Sequence, residues 1–304
     1  MSAAAQSPAA IRVDVRLINV AFTVRDARGA LVTNLTKDDF DVFDDGVPQT
    51  ISFFARGADL ALNLGLIADI SGSQEHFIKR HEHDVKTFLK DTLTPRDRAF
   101  LVCFGNRIRL MSDFSPSPND LLDGLRQFDP KHRDRLRDFP ELGPHEIRKL
   151  GTAFYDALYY GTTTKLATVD SGRRALVVFS DGEDNSSAHH MLETIEAAQT
   201  ENVVIFGIRY TETRRGVLTA RNKYGTGVMA RISLETGGAD FDAENDDLRK
   251  SFREIGEQLR SSYELAYHSA KPLRDGTFHK LVIRSKRPDL VVRTKTGYYA
   301  REER

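Results

Sequence analysis

The chain has 304 residues, 40% of them hydrophobic and 29% charged, and its 44 Lys and Arg balance 44 Asp and Glu to a formal charge of zero. Such a length buries a substantial core in one large domain or two modest ones, and the balanced charge gives no preference for nucleic acid or an anionic membrane. No run approaches the roughly 20 apolar residues of a membrane-spanning helix, and a single cysteine, Cys103, in a strand-like apolar run, rules out an intrachain disulfide and reads as a small core residue. The first ten residues are small and polar and lack the basic start and apolar stretch of a signal peptide; they read as the remnant of a processed or truncated export signal.

Residues 11–57 alternate apolar and polar positions, as in Val13, Val15 and Leu17 and then Val20, Phe22 and Val24, with a turn at Asp26 to Gly29. That is the period of strands. Asp45 and Gly46, between alternating runs, predict a hairpin. The aspartates around them lack the spaced ligands and closing Glu of an EF-hand loop, so turn and edge-strand chemistry is the preferred reading over calcium.

From residue 58 to about 260 the pattern becomes strand, helix, strand, helix. Apolar runs at 60–68, 99–104, 175–179 and 203–208 alternate with helical patterns at 77–89, 118–128, 151–160, 188–200 and 246–263. This alternation predicts an α/β fold: a doubly wound, mostly parallel sheet with right-handed crossovers and helices on both faces. Residues 107–112 predict a short antiparallel edge strand, and 240–242 the last strand of the sheet. Strand patterns return at 263–267, 278–284, 290–294 and 298–299. Neither terminal piece can bury a good core alone. Residues 11–57 and 262–304 are therefore expected to pair as a small β-sandwich into which 58–261 is inserted.

The apolar run that starts at Leu62 ends in Asp69-Ile70-Ser71-Gly72-Ser73, a carboxylate and two hydroxyls on a tight loop. Ligands of doubly wound sheets bind beyond the carboxyl ends of the strands, where this loop would lie. A second run, 174–179, ends in Ser180-Asp181-Gly182, and between the two Thr152 stands at a predicted helix start. Taken singly, Ser71, Ser73 and Asp181 fit caps and turns. Together the five side chains offer only oxygen, which suits a hard cation such as Mg2+.

At these residues the chain resembles the von Willebrand factor A domain family, whose metal-ion-dependent adhesion site uses a D-x-S-x-S loop, a Thr on a second loop and an Asp on a third. The resemblance covers about residues 58–260 and fills every position, with Asp69, Ser71, Ser73, Thr152 and Asp181. It implies Mg2+, with Mn2+ or Ca2+ as substitutes: Ser71, Ser73 and Thr152 bring hydroxyls to the metal, directly or through water, and Asp69 and Asp181 bring negative charge. It also implies a non-enzymatic binding role, a protein partner presenting an Asp or Glu carboxylate, and an extracytoplasmic home. The segment ahead of the domain, D-F-x-V-x-D-x-G-x-P-Q, resembles one found in bacterial proteins of this family.

Two other readings stand beside it. Asp69 could be the nucleophile of a Mg2+-dependent phosphoryl transfer, although Ser71 replaces the second Asp of the usual D-x-D pattern and no general acid is evident. The domain could equally be a scaffold with a structural metal. Phosphate-binding and nucleophile-elbow motifs are absent. The mixed-charge segment within 131–148 reads as an exposed loop that could gate the site. His81 and His83 lack the i, i+4 spacing of a helical zinc motif, and His189 and His190 are better placed to touch a ligand than to hold metal.

Overall fold

The computed structural model describes residues 17–126, 138–144, 151–211, 213–214, 217–269 and 276–300. The expected strand positions Val13 and Val15, and most of the charged segment 131–148, lie outside the described residues. In chain order the strands are β1 (Leu17–Arg25), β2 (Phe40–Asp44), β3 (Val47–Gln49), β4 (Ile51–Arg56), β5 (Leu62–Asp69), β6 (Arg98–Phe104), β7 (Ile108–Ser115), β8 (Arg173–Ser180), β9 (Val203–Arg209), β10 (Thr213–Arg214), β11 (Val217–Leu218), β12 (Asp240–Asp242), β13 (Tyr263–His268), β14 (Phe278–Ser285), β15 (Val291–Thr294) and β16 (Gly297–Tyr299). The helices are α1 (Ile78–Thr92), α2 (Pro118–Arg126), α3 (Phe154–Tyr160), α4 (Met191–Thr200), α5 (Ala220–Thr236) and α6 (Leu248–Arg260).

Six strands form the central sheet in the order β12-β9-β8-β5-β6-β7. All pair in parallel except β7, which runs antiparallel to β6 at the edge predicted for it. All eight residues of β5 are buried, as a strand covered on both faces requires. One face of the sheet packs Leu64, Leu66 and Ala68 against Val85, Phe88 and Phe252 of α1 and α6. The other packs Ile67, Val102 and Val178 against Phe154, Ile195 and Ile232 of α3, α4 and α5. The chain builds β6 and β7 on one side of β5 and then crosses to β8, β9 and β12 on the other. The order therefore reverses between β5 and β8, and a crevice opens there at their carboxyl ends.

Helix α5 is absent from the sequence reading, and this is a correction. Gly225 and Gly227 interrupt its first half, which lowers helix propensity, and its apolar positions follow no clear stripe. Thr219, whose hydroxyl accepts from Asn222 N, starts it, and Gly237 at φ 89° ends it. Helix α3 begins three residues later than predicted because Gly151, at φ 127°, and Ala153, at φ −95° and ψ 60°, stand outside helical geometry.

The terminal segments pair as expected. One antiparallel sheet has the order β15-β1-β13-β4 and another the order β16-β14-β2-β3, so each mixes strands from both parts of the chain. They share a core of Val20, Phe22, Phe40, Val42, Leu265, Tyr267 and Ile283, with Phe22 edge-on to Phe40 at 5.0 Å and stacked on Tyr263 at 5.3 Å. Asp45 and Gly46 turn β2 into β3 with φ of 47° and 81°, the primed geometry that Asp-Gly favours. The α/β unit leaves and rejoins the sandwich at one place, where Arg56 pairs with Tyr263 and Gly57 N donates to Ser262 O.

Candidate metal centre

Asp69 ends β5 and Ser180 ends β8, on either side of the crevice. Ser180 Oγ donates to Asp69 Oδ2 at 2.6 Å, and Ser71 N donates to Asp69 Oδ1 at 2.9 Å. Ser71 Oγ lies 3.2 Å from Ser73 Oγ, which donates to Asp181 Oδ2 at 3.0 Å. Four of the five expected residues are thus joined by short hydrogen bonds. Thr152 is held alongside through the backbone: Ala153 N donates to Gly105 O, and Gly105 packs against the backbone of Ser71.

The segment after Asp181 braces the Thr152 loop. Asn185 Oδ1 accepts from Thr152 N at 2.7 Å, and Asp184 Oδ1 accepts from Phe154 N at 2.9 Å, which caps α3. Asp156 accepts from Ala188 N, His189 N and His189 Nδ1. His189, expected to touch a ligand, is bound to Asp156 and stacked on Tyr159 at 3.7 Å, so its role here is to hold the two loops together. His81 is buried beside Tyr210, and burial pushes its imidazole down to about 3, which keeps it neutral.

Sequence reasoning missed the supports. Gln74 Nε2 donates to Asp181 Oδ2 at 2.9 Å, and Arg221 and Asn222, at the start of α5, hold Glu183. Gly182, at φ 77°, and Gly225 let α5 meet the Asp181 loop backbone to backbone, since a Cβ on Gly182 would lie 2.5 Å from Gly225 O. The density of oxygen and amide groups in residues 180–187 was the one available signal for these contacts.

Electrostatically the crevice is a buried acid pair. Burial, and then the charge of Asp181, push Asp69 up to about 7, and the same two causes push Glu183 up to about 6 despite Arg221. Cys103, beneath the loop, is pushed up to about 12 by burial and then by Asp69, and it is an inert core thiol.

The strand order, the switch point between β5 and β8 and the loops gathered there describe one architecture. The central unit is the doubly wound α/β fold that the sequence resemblance implies. No protein-family model matches the chain, and no curated protein does. Solved structures similar to this chain include an aerotolerance-related membrane protein from Bacteroides fragilis, at 13% identity and TM-score 0.49 over 66% of this chain and 98% of that one. Another is proximal thread matrix protein 1 of the mussel byssus with a zinc-occupied MIDAS motif, at 15% identity and TM-score 0.49 over 72% and 50%. A third is the vWF domain of the type V pili tip protein Mfa5 from Porphyromonas gingivalis, at 12% and 0.46 over 66% and 95%. At such identities the chemistry of the A-like site rests on this chain's own geometry. Among the described residues no helix is long and apolar enough to cross a membrane.

Proposed function

We propose that the protein is a divalent-metal-dependent, non-enzymatic binding module of the adhesion type, with 58–261 as the A-like domain and 11–57 with 262–304 as the sandwich that carries it. In this reading Asp69, Ser71, Ser73, Thr152 and Asp181 form the metal site. The observation that carries it is the Asp69 and Asp181 pair: two buried carboxylates face one crevice among hydroxyls, and burial, followed by the charge of Asp181, holds a proton on Asp69 near neutrality. A hard divalent cation fits this all-oxygen set, with Mg2+ preferred and Mn2+ or Ca2+ as substitutes. When bound, it would neutralise the acid pair and offer a coordination position to an Asp or Glu carboxylate of a protein partner. Exposed Ser73 marks the side from which that carboxylate would arrive. An extracytoplasmic setting, where millimolar cations and protein partners are both at hand, completes the proposal.

The geometry favours binding over phosphoryl transfer. A nucleophilic aspartate needs an oxygen free to attack phosphorus in line, whereas Asp69 is fully buried with Oδ1 on Ser71 N and Oδ2 on Ser180.

The pH dependence supplies the test. An Asp pushed up to about 7 in the folded chain and ordinary when unfolded binds its proton more tightly in the fold. The metal-free protein therefore loses stability as pH rises from about 4 to about 7, and the loss persists above that window. Metal must displace the proton, so its apparent affinity should weaken roughly 15-fold between pH 7 and pH 5.5. Millimolar Mg2+ is expected to raise Tm clearly at pH 8 and little at pH 5.5. Equal shifts at both pH values, or none at pH 8, would remove the acid pair from the site.

Gly225→Val offers a second check, because its side chain would enter the space of the Asp181 carbonyl. With all five candidate ligands intact, Mg2+ binding by calorimetry is expected to weaken roughly 10- to 100-fold, as for loss of a ligand's supporting contacts.

A further inference from the structure

We infer that Asp44, Asp45 and His279 form a second divalent-metal site, of a different chemical class, at the β2–β3 hairpin of the sandwich. Their ligand atoms all lie within 4.8 Å of one another. His279 Nδ1 is 3.1 Å from Asp45 Oδ2 and 3.6 Å from Asp44 Oδ1. Adjacent ligands of a tetrahedral ion with bonds of roughly 2.0–2.1 Å stand about 3.3 Å apart, so these separations already match two edges of a zinc tetrahedron.

An independent observation concerns the two oxygens of Asp44, a residue with no solvent exposure. Oδ2 accepts from Tyr298 OH at 2.7 Å, Tyr267 OH at 3.0 Å and Ser269 Oγ at 3.1 Å. Oδ1, aimed at the cluster, accepts no hydrogen bond among the described residues. A buried carboxylate with one oxygen saturated and the other bare carries an uncompensated desolvation cost. A cation on Oδ1 removes it.

The surroundings have the form of support for metal ligands, in which the distal carboxylate oxygen and the second imidazole nitrogen are held by outer partners. The three hydroxyls on Asp44 Oδ2 do the first. Thr277 Oγ1, 3.4 Å from His279 Nε2, and the Tyr298 ring, stacked on the imidazole at 5.2 Å, do the second. Lys280 N fixes Asp45 through Oδ1 at 2.8 Å, which leaves Oδ2 toward the cluster. Asp45 is partly exposed and gives the ion a way in and a water as fourth ligand. An imidazole beside two carboxylates selects a borderline ion such as Zn2+ over Mg2+.

The test uses the full chain carrying Asp69→Ala, which silences the crevice between β5 and β8. Zn2+ alone, titrated by calorimetry, should bind at one equivalent. Co2+ in its place should give the strong visible absorption of a four-coordinate ion with a nitrogen ligand, which an all-oxygen, six-coordinate site does not produce. Adding His279→Gln should weaken binding at least 100-fold and abolish that band. Asp45→Asn, on the exposed turn, keeps the Lys280 hydrogen bond and should weaken binding at least 10-fold, which covers the case in which His279→Gln does not fold. No stoichiometric Zn2+, or binding unchanged by either substitution, overturns the site and leaves the trio as a metal-free polar cluster of the hairpin.

Discussion

Asp69→Ala is expected to abolish Mg2+ binding while leaving the metal-free protein about as stable as its parent at pH 8. The two effects have one origin. Asp69 is buried with no cationic side chain beside it among the described residues and faces Asp181, and above its pKa of about 7 that charge works against folding by an amount on the order of 4 kcal/mol. Truncation removes the charge and leaves Ser180 Oγ and Ser71 N without their acceptor, which costs about 1–3 kcal/mol for each buried group. The gain and the cost are of similar size, so stability holds while the strongest anionic contact in the crevice disappears. Calorimetry should show a loss of Mg2+ affinity of at least 100-fold, more than supporting contacts alone confer. Asp69→Asn keeps the shape and separates charge from packing. It should lose metal as fully, and an Asn variant that binds within threefold of the parent would show that the carboxylate has no part in the site.

Asp97→Ala is expected to be the most destabilising single change outside the apolar core, at about 3–5 kcal/mol in chemical denaturation at pH 7, the range for breaking a buried charged pair. The Asp97 side chain has no solvent exposure. It accepts from Leu62 N at 2.8 Å and Thr94 N at 2.7 Å, from Thr94 Oγ1, and from both terminal nitrogens of Arg260. One carboxylate thus ties the first residue of β5, the turn before β6 and the last turn of α6. Burial alone would push Asp97 up, but the Arg260 hydrogen bond and those from Thr94 and Leu62 outweigh it and hold it down to about 2. The stabilisation is accordingly present above about pH 4 and lost as pH falls through about 2. The gap between parent and variant should be wide at pH 7 and narrow toward pH 2. A gap that stays constant would mean the damage comes from packing and leaves charge out of it.

The central sheet was legible because its strands are buried on both faces and so read as apolar runs, with Ala175 to Phe179 the clearest case. The hairpin at Asp45 and Gly46 was legible because few residue pairs tolerate two positive φ angles in succession. What escaped has equally physical reasons. Helix α5 lies under a sequence with two glycines in its first half, and those glycines are there to meet the Asp181 loop, a tertiary reason invisible to local pattern. The D-x-S-x-S loop announced Asp69, Ser71 and Ser73, but Gln74, Ser180 and Asn185 matter only through partners about 30 to 110 positions away in the chain and carry no spacing of their own. The contacts of His189 with Asp156 and Tyr159 are of the same kind, since its partners lie about 30 positions back in the chain. Asp44 and His279 illustrate the same limit: their strands pair in the fold, yet more than 200 residues of chain separate them.

The crossing between sandwich and α/β unit bears on mechanics. The chain passes at Arg56 and Tyr263, and further bonds lie to either side of that passage: Arg25 pairs with Glu254, Ala21 N donates to Asn202 Oδ1, and Lys295 Nζ donates to Gln199 O. A pull between the two parts therefore loads several bonds in parallel, and bonds that must give way together resist far better than a seam opened one at a time.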